Sequence, residues 1–344
     1  MNSFVDRSEA DGFGVPVALI FFKRIEKTIQ VLDRIAQVRP KKLYLISDGA
    51  RNDEERELVE ECRRQVDSRI DWNCEVIRDY AMENVGVYDR IGLGALRVLS
   101  REKSAIFLED DNLPEISFFS FCEEMLNKYQ AAEDVLWVCG TNYLYEYDPP
   151  NGADYVFTRH MLPCGWASWG HKFPKYYDGS MSLLKNPMFS KKLADWAEGS
   201  ALNKQIWRGW MTEFHRIEAG RRPNSWDYQM SLTLIAHGLF GIAPRFNQIR
   251  NIGVDMHSTH GGTSLTNVMT RRFCEVNTKE LVFPLRHPKD TSIDPGFEKL
   301  TSDIMLFPLR YRVKGAINRL LKRLLFIDEQ AGLLSTLRKR LSLN

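Results

Sequence analysis

The amino-acid sequence predicts an α/β fold: a doubly wound, mainly parallel sheet with flanking helices, followed by a basic, amphipathic C-terminal helical tail. Three observations predict it. Apolar runs without polar alternation recur in the N-terminal third, at residues 15–22, 42–47 and 105–108, as in strands buried on both faces of a parallel sheet. Charged segments with apolar residues at helical spacing lie between them. Polar residues gather where three of the runs end, at Lys23 and Arg24, at Asp48 and Gly49, and at Glu109 to Asp111. A sheet of this kind binds its ligand beyond the C-terminal ends of its strands.

Each element follows in order. Residues 15–22 are the first strand. Ile25, Ile29, Leu32 and Ile35 then share one helical face, and Pro40 stops that helix. Residues 42–47 are the second strand, 52–67 a charged helix, 71–77 the third strand and 86–100 the next helix. The fourth strand, 105–108, runs directly into Glu109, Asp110 and Asp111. The resulting β-α-β-α-β-α-β order implies a doubly wound parallel sheet. A helix from Ser117 to about Tyr129 and a strand at 136–139 follow. Residues 142–222 read as irregular and rich in aromatics, among them Trp166, Trp169, Tyr176, Tyr177, Trp196, Trp207 and Trp210. Such rings either stack on sugars or fill a core. A helix over 225–239 and a short strand at 240–243 complete this region.

The chain has 344 residues, room for one large domain with an appendage. Hydrophobic residues make up 44% and charged residues 27%, ordinary values for a soluble globular protein. A net charge of +2 excludes nucleic-acid binding by bulk electrostatics. The charge is uneven, however: from Ile304 to Asn344 there are nine Lys or Arg and two Asp or Glu. The six cysteines form no C-x-x-C pair and read as reduced thiols. Residues 1–14 lack the basic and apolar regions of a signal peptide, and no apolar stretch is long enough to span a bilayer. The expectation is a cytoplasmic protein.

Three consecutive acids at the end of a buried strand call for a counter-charge. Mg²⁺ and Mn²⁺ prefer oxygen ligands, commonly one or two carboxylates completed by phosphates and waters. A cation of this kind on a diphosphate neutralises the leaving group. Strand alternation would turn Glu109 and Asp111 one way and Asp110 the other. A solvated acidic turn is the alternative. A second candidate is Asp227, at a helix start after Pro223, Asn224 and Ser225. A carboxylate there serves either as a general base or as a partner of the helix dipole.

Taken together, these motifs resemble the family of N-acetylglucosaminyltransferase I and the bacterial GT-A proteins described as glycosyltransferase family 2-like or nucleotide-diphospho-sugar transferases. The resemblance covers roughly residues 15–262. It implies that Arg24 touches the nucleotide, Asp48 the uracil and Tyr88 the base. It implies that Asp111 ligates the metal, Mn²⁺ or Mg²⁺, while Glu109 and Asp110 contact the donor sugar and ribose. Residues 162–166, ending in Gly165 and Trp166, resemble a segment near the donor sugar, which makes Trp166 a donor-binding candidate. Asp227 falls where the family carries its catalytic base. Residues 251–262 fall on a loop that closes over the donor, with His260 preferred over His257 as a phosphate or metal contact. The family's eukaryotic members begin with a membrane anchor, which residues 1–14 do not resemble, and the tail after about Lys289 has no counterpart.

The expected protein is therefore an inverting, metal-dependent glycosyltransferase using a UDP-sugar, with UDP-GlcNAc the candidate. Residues 1–290 would be the GT-A domain, divided into a nucleotide-binding half (15–140) and an acceptor half (141–290). Residues 291–344 would be the tail. Ile317, Leu320, Leu321, Leu324 and Leu325 lie on one helical face flanked by Arg319, Lys322 and Arg323. That face either meets an anionic membrane surface or packs on the domain. The partners implied are a nucleotide-sugar donor, a glycan or glycolipid acceptor and the inner membrane face, with no nucleic acid. Two rivals are weighed. A nucleotidyltransferase requires a glycine-rich loop after the first strand, and residues 21–26 contain no glycine. A non-catalytic carbohydrate-binding relative would have lost the acidic triplet.

Overall fold

A computed structural model describes residues 12–255, 264–327 and 332–341. In chain order the strands are β1 (Val17–Phe21), β2 (Lys42–Ser47), β3 (Glu75–Tyr80), β4 (Ser104–Glu109), β5 (Asn112–Pro114), β6 (Val135–Cys139), β7 (Tyr155–Thr158), β8 (Trp166–Trp169), β9 (Phe240–Pro244) and β10 (Ile249–Asn251). Eight of them form one sheet in the order β3-β2-β1-β4-β8-β6-β9-β7, and β10 pairs with β5 separately. β1 to β4 are mutually parallel, as is the β6–β9 pair. β8 runs antiparallel between β4 and β6, and β7 antiparallel at the edge beside β9. The fold is thus the α/β class expected, with a mixed second half.

The helices are α1 (Ile25–Val38), α2 (Asp53–Ser68), α3 (Gly94–Leu99), α4 (Ser117–Lys128), α5 (Phe173–Tyr176), α6 (Pro187–Ala197), α7 (Ala201–Glu218), α8 (Asp227–His237), α9 (Val268–Phe273), α10 (Pro295–Met305), α11 (Leu309–Leu324) and α12 (Leu333–Leu341). A π-helical turn, Tyr88–Leu93, precedes α3. The stretch 142–222, expected to be irregular, contains β7, β8 and α5 to α7. β7 and β8 have four residues each, all buried. Strands so short and wholly enclosed show neither alternation nor a long apolar run, so the pattern carries no period to read.

Successive strand residues point to opposite faces, and two core layers result. Val17, Leu19, Leu43, Leu45, Ile106 and Leu108 pack with Ile29, Leu32 and Ile35 of α1 and with Phe118, Phe121 and Met125 of α4. On the other face Ala18, Ile20, Ile46, Ala105 and Phe107 meet Ala95 and Leu99 of α3, Trp166, Trp226 and Met230. Leu281 and Leu285 belong to the first layer and Phe297 of α10 to the second. Glu298 accepts hydrogen bonds from Thr158 Oγ1 and from the Arg159 amide. Phe297 and Glu298 of α10 thus pack against the main body. All six cysteines are free thiols.

Registers level the strand ends. Ile20 lies opposite Glu109 and Phe21 opposite Ser47. The residues after β1, β2 and β4 therefore emerge side by side.

Gly165 fixes the turn into β8. Its φ is +59°, and an added Cβ would lie 2.4 Å from Ile249 Cδ1. Gly152 has φ +70° but nothing nearer than 3.9 Å. We expect Gly152→Ala to lose about 1 kcal/mol from backbone strain alone. Gly165→Ala should lose about 3 kcal/mol, because overpacking adds to strain. Urea unfolding of both variants checks this, and equal losses would remove the role assigned to the Ile249 contact.

Candidate functional site

The acidic triplet stands where β4 ends. Its chain leaves the strand at Glu109 and turns through Asp110 and Asp111. The alternation expected of the three acids stops there: Asp110 and Asp111 share one partner instead of pointing apart. That partner is Arg24, at the N-cap of α1. Its Nη2 bonds Asp110 Oδ1 and lies 2.9 Å from Asp111 Oδ2. The Phe22 amide donates to Asp110 Oδ2 at 3.4 Å. Asp110 is buried, and burial pushes its carboxyl up to about 6 although Arg24 opposes the shift. Burial also raises Glu109 well above the usual carboxylate range, and the charges of Asp111 and Asp110 add to it. Burial works against the Arg24 charge, yet the two aspartates more than offset this and hold the guanidinium protonated.

Residues 251–255 border the triplet. The Ile252 amide donates to the Asp111 carbonyl at 2.8 Å. Gly253 passes so close that an added Cβ would lie 2.3 Å from Asp111 Oδ2. Lys27, one turn along α1 from Arg24, is ion-paired with Asp255. Sequence reasoning singled out residues 251–262 but not Lys27, for which the spacing from Arg24 on one helix face was the available signal. His257 and His260 lie outside the described residues. Residues 162–166 also reach the triplet. Burial raises the Cys164 thiol, and Asp111 and Glu109 raise it further. The Cys164 sulfur accepts from Asn251 Nδ2 at 3.5 Å.

Asp227 approaches from the other half of the chain, as the first residue of α8. Its amide donates to Ser225 Oγ at 3.1 Å, and its Oδ1 accepts from the Tyr228 amide at 3.1 Å. Its charge contributes, after burial and the two aspartates, to raising Glu109, and after burial to raising Tyr177 and Tyr228. An aromatic stack sets this position. Trp166 lies between Phe107 of β4, at 4.1 Å, and Trp137 of β6, at 4.2 Å, and Trp226 stacks on it at 5.4 Å. Trp166 is 1% exposed. The ring is enclosed by aromatic neighbours in this arrangement. It couples β4 to the residue preceding Asp227.

Asp48 follows β2. Its carboxylate accepts from the amides of Gly49, Val85 and Gly86 and from Asn84 Nδ2, each at 2.9 Å. Four donors match the lone-pair sites of a carboxylate. Asp48 thereby pins residues 84–86, the approach to Tyr88. Tyr88 is half-buried at the start of the π-helical turn, with its hydroxyl against Gly179. Burial pushes its phenol up to about 12.

Among the described residues no three His, Cys, Asp or Glu side chains are arranged to hold a metal by themselves. Asp110 and Asp111 are nevertheless two oxygen donors sharing one cation, which fits a Mg²⁺ or Mn²⁺ whose shell is completed by phosphate and water.

No protein-family model and no curated protein matches the chain. Solved structures give low-identity likenesses. The mannosyltransferase PcManGT from Pyrobaculum calidifontis, in complex with GDP-Man and Mn²⁺, is 12% identical, with 67% of this chain and 70% of that chain covered and a TM-score of 0.34. Residues 1–349 of TarS from S. aureus are 12% identical, with 69% and 59% covered and a TM-score of 0.37. The 4-diphosphocytidyl-2C-methyl-D-erythritol synthase of Anaerococcus prevotii is 10% identical, with 69% and 91% covered and a TM-score of 0.35. At these scores the likenesses assign no activity to this chain, whose chemistry has to be read from its own residues.

Arg24 carries a direct expectation. Arg24→Gln removes the cation shared by Asp110 and Asp111 and should lower the melting temperature measured in chelator. Leaving a buried charge without its partner costs about 3 kcal/mol or more. Added Mn²⁺ should then raise the melting temperature of the variant more than that of the wild type. Equal Mn²⁺ responses would mean that Arg24 and a metal do not share the two aspartates.

Proposed function

We propose that the chain is an inverting GT-A glycosyltransferase, which moves a sugar from a UDP-sugar to an acceptor hydroxyl and depends on a divalent cation. The observation that supports this most is convergence. Glu109 to Asp111 end β4 among the parallel strands, where such sheets bind ligands, and the charge of Asp227, from the other half of the chain, acts on Glu109.

In this reading Asp111 would hold Mn²⁺ or Mg²⁺, and Asp110 would contact the donor ribose. The bound ion would supply charge neutralisation of the leaving diphosphate. Arg24, at the N-terminus of α1, is placed to exchange its aspartate partners for a phosphate oxygen, since helix N-termini and guanidinium groups both favour anions. Tyr88 borders the base, Asp48 contacts the uracil while its carboxylate pins residues 84–86, and Glu109 meets the donor sugar. Asp227 takes the proton from the acceptor hydroxyl as that oxygen attacks the anomeric carbon. The sugar's bond to diphosphate breaks in the same displacement, so the anomeric configuration inverts. His260 remains a proposed phosphate contact on the strength of the family resemblance. Nucleotidyl transfer is disfavoured because residues 22–24 contain no glycine and Lys23 is paired with Glu55 at 2.7 Å, leaving no phosphate-wrapping loop.

UDP-GlcNAc is the candidate donor and a glycan or glycolipid the acceptor, in bacterial surface-polysaccharide assembly at the inner membrane face. Thermal shift against a panel of nucleotide sugars, with Mn²⁺ and with chelator, tests the donor class. Ligand at a hundred times its Kd stabilises by about 2.7 kcal/mol, so a UDP-sugar should raise the melting temperature by several degrees in Mn²⁺. A nucleoside triphosphate raising it instead would favour nucleotidyl transfer.

Asp227→Asn is expected to keep donor binding and to lose at least ~10²-fold in kcat, the usual range for a general base. Unchanged turnover would leave Asp227 with a helix-dipole role, and lost UDP binding would move it into the nucleotide site.

A further inference from the structure

The apolar side of α11 faces outward. Leu309, Val313, Ile317, Leu320 and Leu324 recur at one-turn spacing and are exposed, Leu309 at 67% and Leu324 at 64%. The opposite stripe, Tyr311, Gly315, Asn318 and Lys322, is half-buried or buried. A helix packed on a protein core buries its leucines and leaves its charges in water. Here the order is reversed: the lysine is the buried residue and the leucines form the outer ridge. Phe326, just past the helix, is 92% exposed.

The start of the helix is fixed to the body. Arg272 Nη1 donates to the carbonyls of Ile304 and Leu306, and Gln205 bonds both the Met305 carbonyl and the Phe307 amide. The ridge is therefore presented from an anchored base. Exposed Arg310, Arg312, Lys314 and Arg323 border it, and α11 contains no Asp or Glu. Its 16 residues make a ridge roughly 24 Å long. No helix among the described residues is long and apolar enough to cross a membrane.

We propose that α11 is an interfacial anchor whose leucine ridge enters the headgroup boundary of an anionic bilayer while its basic borders lie on the lipid phosphates. The charge pattern selects this occupant. A second copy of the same ridge would bring an all-basic border against another and be repelled. Anionic lipid offers both an apolar interior and negative charge. The attachment deepens the proposed function by placing the site at the surface where a lipid-linked acceptor lies, yet it requires neither donor nor metal.

The test is sedimentation of the full chain with phosphatidylcholine vesicles, with and without phosphatidylglycerol, in the absence of nucleotide and metal. Wild type should pellet with the anionic vesicles at low salt and be released by high salt. Leu320→Asp with Leu324→Asp, and separately Arg312→Glu with Lys314→Glu, should each weaken partitioning by more than about tenfold. Both pairs alter exposed positions, so their melting temperatures should match wild type. Three results would overturn the anchor: no binding to any vesicle at low salt, variants that pellet as well as wild type, or a wild-type dimer that the leucine variant converts to monomer while vesicles are ignored. Because no donor is present, failure here leaves the glycosyltransferase reading to its own assays.

Discussion

Negative charge at the mouth of a buried strand is the constraint around which this structure is arranged. β4 carries its apolar residues through the middle of the sheet and delivers Asp110 and Asp111 at its end, with Glu109 half-buried just before them. Carboxylates so close together and so poorly hydrated require a cation. Arg24 supplies it, from a position set by the parallel register of β1 against β4. The short link between β1 and α1 belongs to the same arrangement, because it points the guanidinium at the two aspartates. A group that draws two carboxylates together is also one that a diphosphate can attract away.

The second half of the chain is tied to that point by rigid packing. Phe107, Trp166, Trp137 and Trp226 form a continuous stack from the central sheet to the first turn of α8. Interiors packed in this way transmit position because side chains have little free volume to relax into. Asp227 follows Trp226 directly, so this packing fixes where its backbone leaves the core. The division of labour follows: the parallel half supplies charge at strand ends, and the aromatic half sets the distance at which a second carboxylate stands.

Much of this was legible in the residues. The apolar runs at 15–22, 42–47 and 105–108 coincide with buried strands, and the acids follow one of them directly. β7 and β8 were not legible, because four enclosed residues leave no period. Nor was the reversal of β8, which depends on its partners β4 and β6. Trp166 shows the limit most clearly: a tryptophan beside a glycine reads equally well as a sugar platform or as a core residue, and only its neighbours in space decide. Asp48 is similar, since its partners at 84–86 belong to a loop that no local pattern connects to it. The outward face of α11 was written in its leucine spacing, but spacing alone does not say which side a helix turns to the body.

The cation requirement is the claim on which the rest stands. Calorimetric titration of the full chain with UDP, once in Mn²⁺ and once in chelator, measures it without any assumption about sugar or acceptor. A cation shared by Asp111 and the diphosphate predicts binding at least tenfold tighter in Mn²⁺, a difference of about 1.4 kcal/mol or more. Equal affinity in the two buffers would contradict it and leave Arg24 as the permanent counter-ion of the acidic site.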